Sequence, residues 1–297
     1  MSASVNLFAG FEPIVQENVP LAPLTWYRIG GPARWLVHPR NPQELQAVAT
    51  RCVENNIRVL VLGRGANLLV ADEGVNAAVL TMDAPHWKEF SASGTLLSAA
   101  SGADMQAVAR YCVRHGLAGL ECMAGIPGTI GGCIRMNAGG KYGEIGATVS
   151  RVTVMSIEGE IFDRTKDDLV FSYRKSNIAA TFILSAQFEL EQEDPDDLVR
   201  RFKEIWMFKK NSQPLGSKSA GCVFKNPPGE SAGALIDHAG LKGLRIGNAQ
   251  VSDKHANFIV AHPDCTANDV LQLIDRVRAT VQQKHGITLE SEVVIWK

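Results

Sequence analysis

Polar side chains set among glycines and aliphatics are where this 297-residue sequence can do chemistry. They fall in four places: Tyr173 and Arg174 in FSYRKSN, Cys222 in SAGCVFKNP, the run Lys254 to Asn257 in SDKHANF, and the pair Glu290 and Glu292. An arginine in a compact turn offers a planar fork of donors that binds a carboxylate through two hydrogen bonds. The same residue on an open surface carries only solvated charge. Cys222, between Gly221 and Val223, is either an inert buried thiol or, with Lys218 and Lys225 near in sequence to lower its pKa or orient a ligand, a reactive one. Glu290 and Glu292 lie two apart in a strand expected over Thr288 to Trp296, which puts both on one face. That face is either solvated or turned, at one of the two, into a cleft.

Groups of this kind need a partner to act on, and the stretch Gly125 to Gly139, GIPGTIGGCIRMNAG, indicates one. It holds five glycines and one proline but a single charged side chain, Arg135, and interleaves the glycines with Ile126, Ile130, Ile134 and Met136. Flexible linkers lack such aliphatics, whereas glycine among buried side chains marks backbone held close to something bulky. Successive N–H groups in a tight turn form a concavity for an anion, so a phosphate-bearing cofactor fits. The alternative is a tight crossover between packed elements. Gly63 and Gly65 in GRGANLLVADEG resemble the start of a dinucleotide fingerprint, but the third glycine position is Leu68. Leu68 opens LLVAD and a turn in place of a helix, so a phosphate loop here belongs to another fold.

The elements that must position these groups are legible from periodicity. Residues 1–24 lack it and are expected to form a surface arm. A strand is expected from Arg34 to His38, then a helix with Asn41, Pro42 and Glu44 as N-cap, N1 and N3 and an apolar face of Leu45, Val48, Ala49, Cys52 and Val53. Strands follow at Val59 to Leu62, near Ala77 to Met82, and at Leu96 to Ala99, and a helix runs from Asp104 to His115 with Gly116 as its left-handed cap. Thr148 to Ile157, Glu160 to Arg164 and Phe182 to Leu190 read as an antiparallel sheet. A helix starts at Asp194 and Pro195 and is expected to bury Leu198, Phe202, Ile205 and Trp206. A short helix covers Ala232 to His238, and a long one begins at the N-cap Thr266 and ends at Gly286.

Composition narrows the partners. The chain is 45% hydrophobic and 21% charged with a net charge of −1, which gives no pull toward nucleic acid or an anionic membrane. The first twenty residues contain no basic n-region, so a secretory signal is not expected. The six cysteines show neither a CxxC pair nor zinc-like spacing, so no metal is expected and reduced thiols in a cytoplasm are the reading.

Eight motifs, TWYRIGG, LGRGANLLVAD, GIPGTIGGCIRMNAG, FSYRKS, SAGCVFKNP, AGALIDHAGLKG, KHANFIV and LESEV, stand in this order from Thr25 to Val293. Together they resemble the UDP-N-acetylenolpyruvoylglucosamine reductase (MurB) family, in the shorter subtype lacking the tyrosine loop. The resemblance implies an α+β protein: a two-part FAD-binding module of vanillyl-alcohol-oxidase/PCMH type, at residues 1–83 and 84–194, and a substrate-binding α+β domain at 195–297. It implies FAD, NADPH as hydride donor and a UDP-sugar substrate. The FAD is expected to be non-covalent, since the two glycine loops offer no His or Tyr at their centre, and a cytoplasmic monomer without nucleic-acid or membrane partners is expected. The reaction would be reduction of UDP-N-acetylglucosamine enolpyruvate to UDP-N-acetylmuramate in peptidoglycan precursor synthesis, with an enolate spread onto the substrate carboxylate.

Carried over residue by residue, the catalytic positions are Cys222 as proton donor, where the family more often has serine, Arg174 at the substrate carboxylate, and Glu292 as its acidic partner. The FAD contacts fall on Tyr27, Arg28 and Gly30, on Gly63, Arg64, Gly65, Ala66, Asn67 and Leu68, and on the stretch from Gly125. In that stretch they are Gly125, Ile126, Pro127, Gly128, Thr129, Gly131, Gly132, Asn137, Ala138 and Gly139. Substrate contacts fall on Tyr173, Lys218, Asn226, His255 and Asn257. The loop Gly139 to Gly143 is one residue longer than the family pattern. A small-alcohol oxidase of the same fold and a non-enzymatic nucleotide-binding protein are the alternatives, separated by the flavin spectrum and by the reaction of reduced flavin with oxygen.

Overall fold

The computed structural model describes residues 7–297. In chain order the elements are β1 (Val15–Pro20), β2 (Pro32–Val37), α1 (Pro42–Glu54), β3 (Val59–Leu62), β4 (Leu68–Val70), β5 (Val75–Thr81), β6 (Phe90–Ser93), β7 (Leu96–Ala100), α2 (Met105–Arg114), β8 (Leu117–Ala118), α3 (Ile130–Arg135), β9 (Gly139–Gly140), β10 (Gly143–Glu144), β11 (Val149–Met155), β12 (Ile161–Thr165), β13 (Phe171–Ser172), β14 (Lys175–Ser176), β15 (Phe182–Glu189), β16 (Glu191–Gln192), α4 (Pro195–Ser212), α5 (Ala232–His238), β17 (Arg245–Ile246), β18 (Ala249–Val251), β19 (Ile259–Ala261), α6 (Ala267–His285) and β20 (Val294–Trp296). They divide into two compact units. The first takes the chain up to Val19, Ala33–Gly63 and Asn76–Trp206; the second takes Pro20–Pro32, Arg64–Val75 and Met207–Lys297.

The first unit holds two large sheets and three two-stranded pairs, β9-β10, β13-β14 and β8-β16. One has the order β1-β2-β5-β3, with β3 and β5 parallel and Val59 opposite Ala78. Helix α1 starts where Asn41 accepts the Glu44 amide at 2.9 Å, but Glu44 takes the amide of Arg40, one residue before the cap. Its buried stripe is Leu45, Val48, Ala49 and Cys52. The expected arm is corrected here: from residue 7 onward it contributes β1, and Phe8 and Ile14 join the core beside Trp35 and Val37. Strand β1 escaped notice because it is polar and mostly exposed along its length, so no apolar alternation marks it. Residues 1–6 of that arm lie outside the described residues.

The other sheet has the order β12-β11-β15-β7-β6 with every neighbour antiparallel; its β11, β12 and β15 are the sheet the sequence reading expects, and β7 and β6 extend it. Its core side carries Leu97, Val152, Val154 and Phe188 against Met105, Val108 and Cys112 of α2 and Ile130 and Ile134 of α3. A fully buried aliphatic contributes about 1.5–3 kcal/mol, so this cluster rigidly seats whatever α2 and α3 carry.

In the second unit β20 pairs parallel with β4, Val294 opposite Leu68, and β17-β18-β19 form an antiparallel sheet against α6. Thr266 caps α6 in a reciprocal capping box with Asp269, and Gly286 ends it at φ 71. The expected last strand is shorter than read: only Val294–Trp296 is a regular strand, and Ser291 makes an isolated bridge to Phe224. Two core assignments are also corrected. Val53 is 44% exposed and Trp206 38% exposed. Each stands eight residues after the first member of its stripe, Leu45 and Leu198, and at 3.6 residues per turn that is about 80° around the helix, at the edge of the buried face.

Candidate functional site

The glycine stretch begins as a loop and becomes helical at α3, where Thr129 is the N-cap and accepts the Gly132 amide at 3.2 Å. Most of its amides are engaged within the protein. Gly125 donates to the side chain of Gln106 (3.0 Å), Ile126 to Met123, Ile130 to Ala103, and Gly131 to Ser101. Gln106 also donates to the carbonyls of Met123 and Ile126, both at 2.7 Å, so one side chain of α2 props the loop from beneath. Pro127 has no N–H. Among the described residues the amides of Gly128 and Thr129 find no acceptor, nor does that of Gly63, where an added Cβ would stand 3.0 Å from Thr129 Oγ1. Adjoining N–H groups without acceptors, at positions a side chain would fill, suit an anionic oxygen.

Arg174 sits on the same unit in a two-residue hairpin between β13 and β14, with Ser172 opposite Lys175. Its φ is 56°, so the turn has its left-handed residue in second position, a place that normally selects glycine or asparagine. A bulky side chain held there costs roughly 1–3 kcal/mol and persists only where its surroundings fix it. Those surroundings are specific. Arg174 Nη2 donates to the Gly139 carbonyl at 3.0 Å, Nη1 stands 3.9 Å from Glu144 Oε1, and the guanidinium lies over the Tyr173 ring at 4.9 Å. Asn137, 1% exposed, donates to Glu144 Oε2 at 2.6 Å and to the Ser172 carbonyl at 2.9 Å, and accepts from the Gly146 amide. Arg135 donates to the carbonyls of Ile178, Ala180 and Thr181, and burial lowers its pKa. The only charge in the glycine stretch therefore ties that stretch to the segment after Arg174.

In the second unit three extended segments lie side by side. Val223 donates to the Asn257 carbonyl (2.8 Å), Glu292 donates to the Val223 carbonyl (2.7 Å), and Lys225 donates to the Glu290 carbonyl (2.8 Å). Cys222 and Glu292 are thereby brought together on neighbouring backbones. Asn257, 2% exposed, accepts the Phe224 amide on Oδ1 at 2.9 Å and donates to the Phe224 carbonyl at 2.8 Å, so its side chain stands in for a strand neighbour. Asn67 Nδ2 donates to the Glu292 carbonyl, and Arg278 donates to the Leu289 carbonyl and Ser291 Oγ. Glu290 is exposed and ion-paired with Lys225 at 2.5 Å, whereas Glu292 is half-buried. The two acids expected on one face thus have different surroundings.

The other positions divide between packing and access. Tyr27 is fully buried in the core, and Arg28 lies at φ 60 and donates to the Pro23 carbonyl. A Cβ on Gly30 would stand 2.6 Å from Val70 Cβ, and one on Gly65 2.3 Å from the Leu24 carbonyl, so close backbone packing already requires both glycines. The amides of Gly65 and Ala66 find no acceptor among the described residues. Lys218 and Asn226 are exposed, and Asn226 Oδ1 accepts from the Ala232 amide at the start of α5. His255 Nδ1 accepts from the Asn257 amide, and burial pushes its pKa below the usual histidine value. The residues missed from sequence are Gln106 and Glu144. The only available signal was a polar side chain on an otherwise apolar helix start for the first, and the Gly143-Glu144 step after the glycine stretch for the second.

A family model described as an FAD binding domain matches residues 33–164, which contain both glycine loops. A model described as the C-terminal domain of UDP-N-acetylenolpyruvoylglucosamine reductase matches residues 213–296. Over 281 residues the chain is 40% identical to the UDP-N-acetylenolpyruvoylglucosamine reductase of Lachnoclostridium phytofermentans, covering 93% of this chain and 91% of the relative. The chain belongs to the UDP-N-acetylenolpyruvoylglucosamine reductase family. The crystal structure of the family member from Thermus caldophilus superposes with a TM-score of 0.82 at 35% identity, covering 95% of this chain and 98% of that one. A solvent-stable cholesterol oxidase shares the fold over 64% of this chain and 40% of its own, with a TM-score of 0.50 and 18% identity. Membership accounts for an FAD-binding module of oxidase type joined to the family's C-terminal domain. Among the described residues no helix is long and apolar enough to cross a membrane.

Proposed function

We infer that this chain reduces UDP-N-acetylglucosamine enolpyruvate to UDP-N-acetylmuramate with NADPH as hydride donor, in the synthesis of peptidoglycan precursors. The observation that carries the reading is family membership along nearly the whole chain, with amides that lack protein acceptors on both glycine loops inside the FAD-binding match. FAD, bound non-covalently, supplies a two-electron carrier between NADPH and the enolpyruvyl double bond. The N–H groups of Gly63, Gly128 and Thr129, all in the first unit, are the donors for its pyrophosphate oxygens, and Gly65 and Ala66 offer further FAD donors from the second. Hydride added at C3 of the enolpyruvyl group leaves negative charge at C2 and on the carboxylate. Arg174 binds that carboxylate and lowers the energy of the enolate. Cys222 holds the proton that C2 receives, and Glu292 is the acidic member of the set.

Lys218, Asn226, Tyr173 and His255 hold the remainder of the UDP-sugar, His255 as a neutral imidazole. Asn257 acts through the backbone it fixes. In functional terms the chain divides at residues 1–83, 84–194 and 195–297, the first two parts for FAD and the third for substrate, and the protein works as a cytoplasmic monomer. The test is direct. Freshly purified protein should be yellow with a flavin spectrum, leave a colourless pellet on acid precipitation, and oxidise NADPH in step with loss of the enolpyruvyl substrate. A colourless protein, or a reduced flavin that reacts with oxygen and ignores the enolpyruvyl substrate, would overturn the reading.

A further inference from the structure

We propose that Glu144 is a positioning residue for Arg174, setting the direction of the guanidinium that meets the substrate carboxylate. The inference rests on the role proposed for Arg174 at that carboxylate. Three observations carry it. First, Glu144 faces both ends of the turn: Oε1 is 3.9 Å from Arg174 Nη1, and Oε2 accepts at 2.6 Å from Asn137, which also holds the Ser172 carbonyl at the base of the hairpin. At 3.9 Å the contact is between charges and is longer than a hydrogen bond, so it steers the cation and leaves the short bond to the Gly139 carbonyl.

Second, the fold makes room for this pair. Glu144 stands opposite Gly139 in the β9-β10 ladder, and a Cβ on Gly139 would lie 2.6 Å from Glu144 Cα and 2.7 Å from its Cγ. A Cβ on Gly146 would lie 2.7 Å from Asn137 Oδ1 and 2.4 Å from the Phe171 ring. Both glycines clear the space that the Asn137 and Glu144 side chains occupy. Third, Arg174 is in a left-handed conformation that its own backbone disfavours, so its placement depends on side-chain contacts. The Arg174 side chain is 15% exposed against 35% for Glu144, so the anion lies on the more open side of the pair.

The experiment uses the FAD-loaded enzyme and the variant Glu144→Gln, which keeps the shape and the acceptor for Asn137 and removes the charge. Binding of the enolpyruvyl substrate to oxidised enzyme, read from the flavin absorbance, should weaken, and reoxidation by that substrate should slow, each by about tenfold, the scale of coupling between contacting charges. Reduction by NADPH should stay within about twofold. In an Arg174→Ala background the same Glu144→Gln change should cost less than about twofold, because the residue through which it acts is gone. Equal loss in both backgrounds would show a merely structural role, and no loss in the single variant would show no role; either overturns the proposal. Normal reoxidation in Arg174→Ala alone would instead remove Arg174 from the mechanism and the premise with it. Thermal melting of each variant identifies any that misfold, and Glu144→Asp, which restores the charge, should recover part of the rate.

Discussion

Arg174 and the Cys222/Glu292 pair are held in opposite ways. Arg174 stands at the tip of a hairpin in a strained backbone conformation, and apart from one bond to the Gly139 carbonyl its position depends on side chains: Asn137, Glu144 and the ring of Tyr173. Cys222 and Glu292 stand on extended backbone locked by main-chain hydrogen bonds on either side of Val223. The group proposed to orient a carboxylate is placed by contacts that can adjust, and the group proposed to deliver a proton to one carbon is placed by peptide geometry. Substitutions of the residues that hold each group, Glu144 for Arg174 and Asn257 for the strand of Cys222, should therefore act on binding and catalysis in the first case and on stability in the second.

The sharpest test of that contrast is Arg174→Ala beside Cys222→Ser and Cys222→Ala. Loss of the guanidinium should slow reoxidation by the enolpyruvyl substrate by about two to four powers of ten, the scale of losing one oxyanion-type donor, while flavin reduction by NADPH hardly changes. Cys222→Ser should keep much of the activity because a hydroxyl on the same backbone can also carry the proton. Cys222→Ala should leave reduced flavin standing in the presence of substrate. Stopped-flow absorbance of the two half-reactions reads all three, and equal loss in both half-reactions for Arg174→Ala would mean that FAD or the fold had been lost instead.

A smaller effect is expected at Asn257. Its replacement by alanine strips partners from the buried amide and carbonyl of Phe224, and at about 1–3 kcal/mol for each unsatisfied group the cost should be roughly 2–6 kcal/mol. Urea denaturation should show this as a lower midpoint, whereas Glu144→Gln should leave the midpoint nearly unchanged. If the two variants shifted the midpoint equally, the distinction between backbone-held and side-chain-held residues would fail.

The smallest effect concerns pH. Burial lowers the His255 pKa in the folded protein below its ordinary value near 6.5. Between those two values the unfolded chain binds the proton and the folded chain does not, so stability rises with pH there and falls as the solution is acidified from about 6.5. The contribution is complete at neutral pH. Urea midpoints from pH 7.5 down to 5 should decline less steeply for His255→Gln than for the parent, and parallel declines would remove His255 from the account.

Local signals in the sequence served well where one residue decides one feature. Asn41 and Thr266 cap their helices, Gly116 and Gly286 lie in the left-handed region, and Val59–Leu62 is a strand at the expected bounds. Two kinds of feature were hidden. A stripe read by adjacency overshoots at the eighth residue, as Val53 and Trp206 show. Glycines also carry more than one cause: those near Gly63 and Gly128 accompany amides without protein acceptors, whereas Gly30 and Gly65 are also required by the backbone packed against them. Helix α3 was masked because two glycines lie within its six residues, and propensity argues against a helix there. At the candidate site, the motifs pointed to Arg174, Cys222 and Glu292, but the contacts of Glu144 with Arg174 and Asn137, and of Gln106 with the glycine loop, follow from geometry that no spacing rule encodes.

The distribution of thiols has a practical consequence. Five of the six cysteines are buried, and burial pushes Cys52 and Cys265 up to about 11 and Cys112 and Cys133 up to about 12. Alkylation requires an accessible thiolate, so in the folded protein a maleimide or iodoacetamide at mildly alkaline pH should react with the half-exposed Cys222 and spare the five buried thiols, Cys122 included. The native chain thus comes with its own single attachment point for a label beside the residues that handle substrate. Protection of that one thiol would report occupancy without any engineered cysteine and without following turnover.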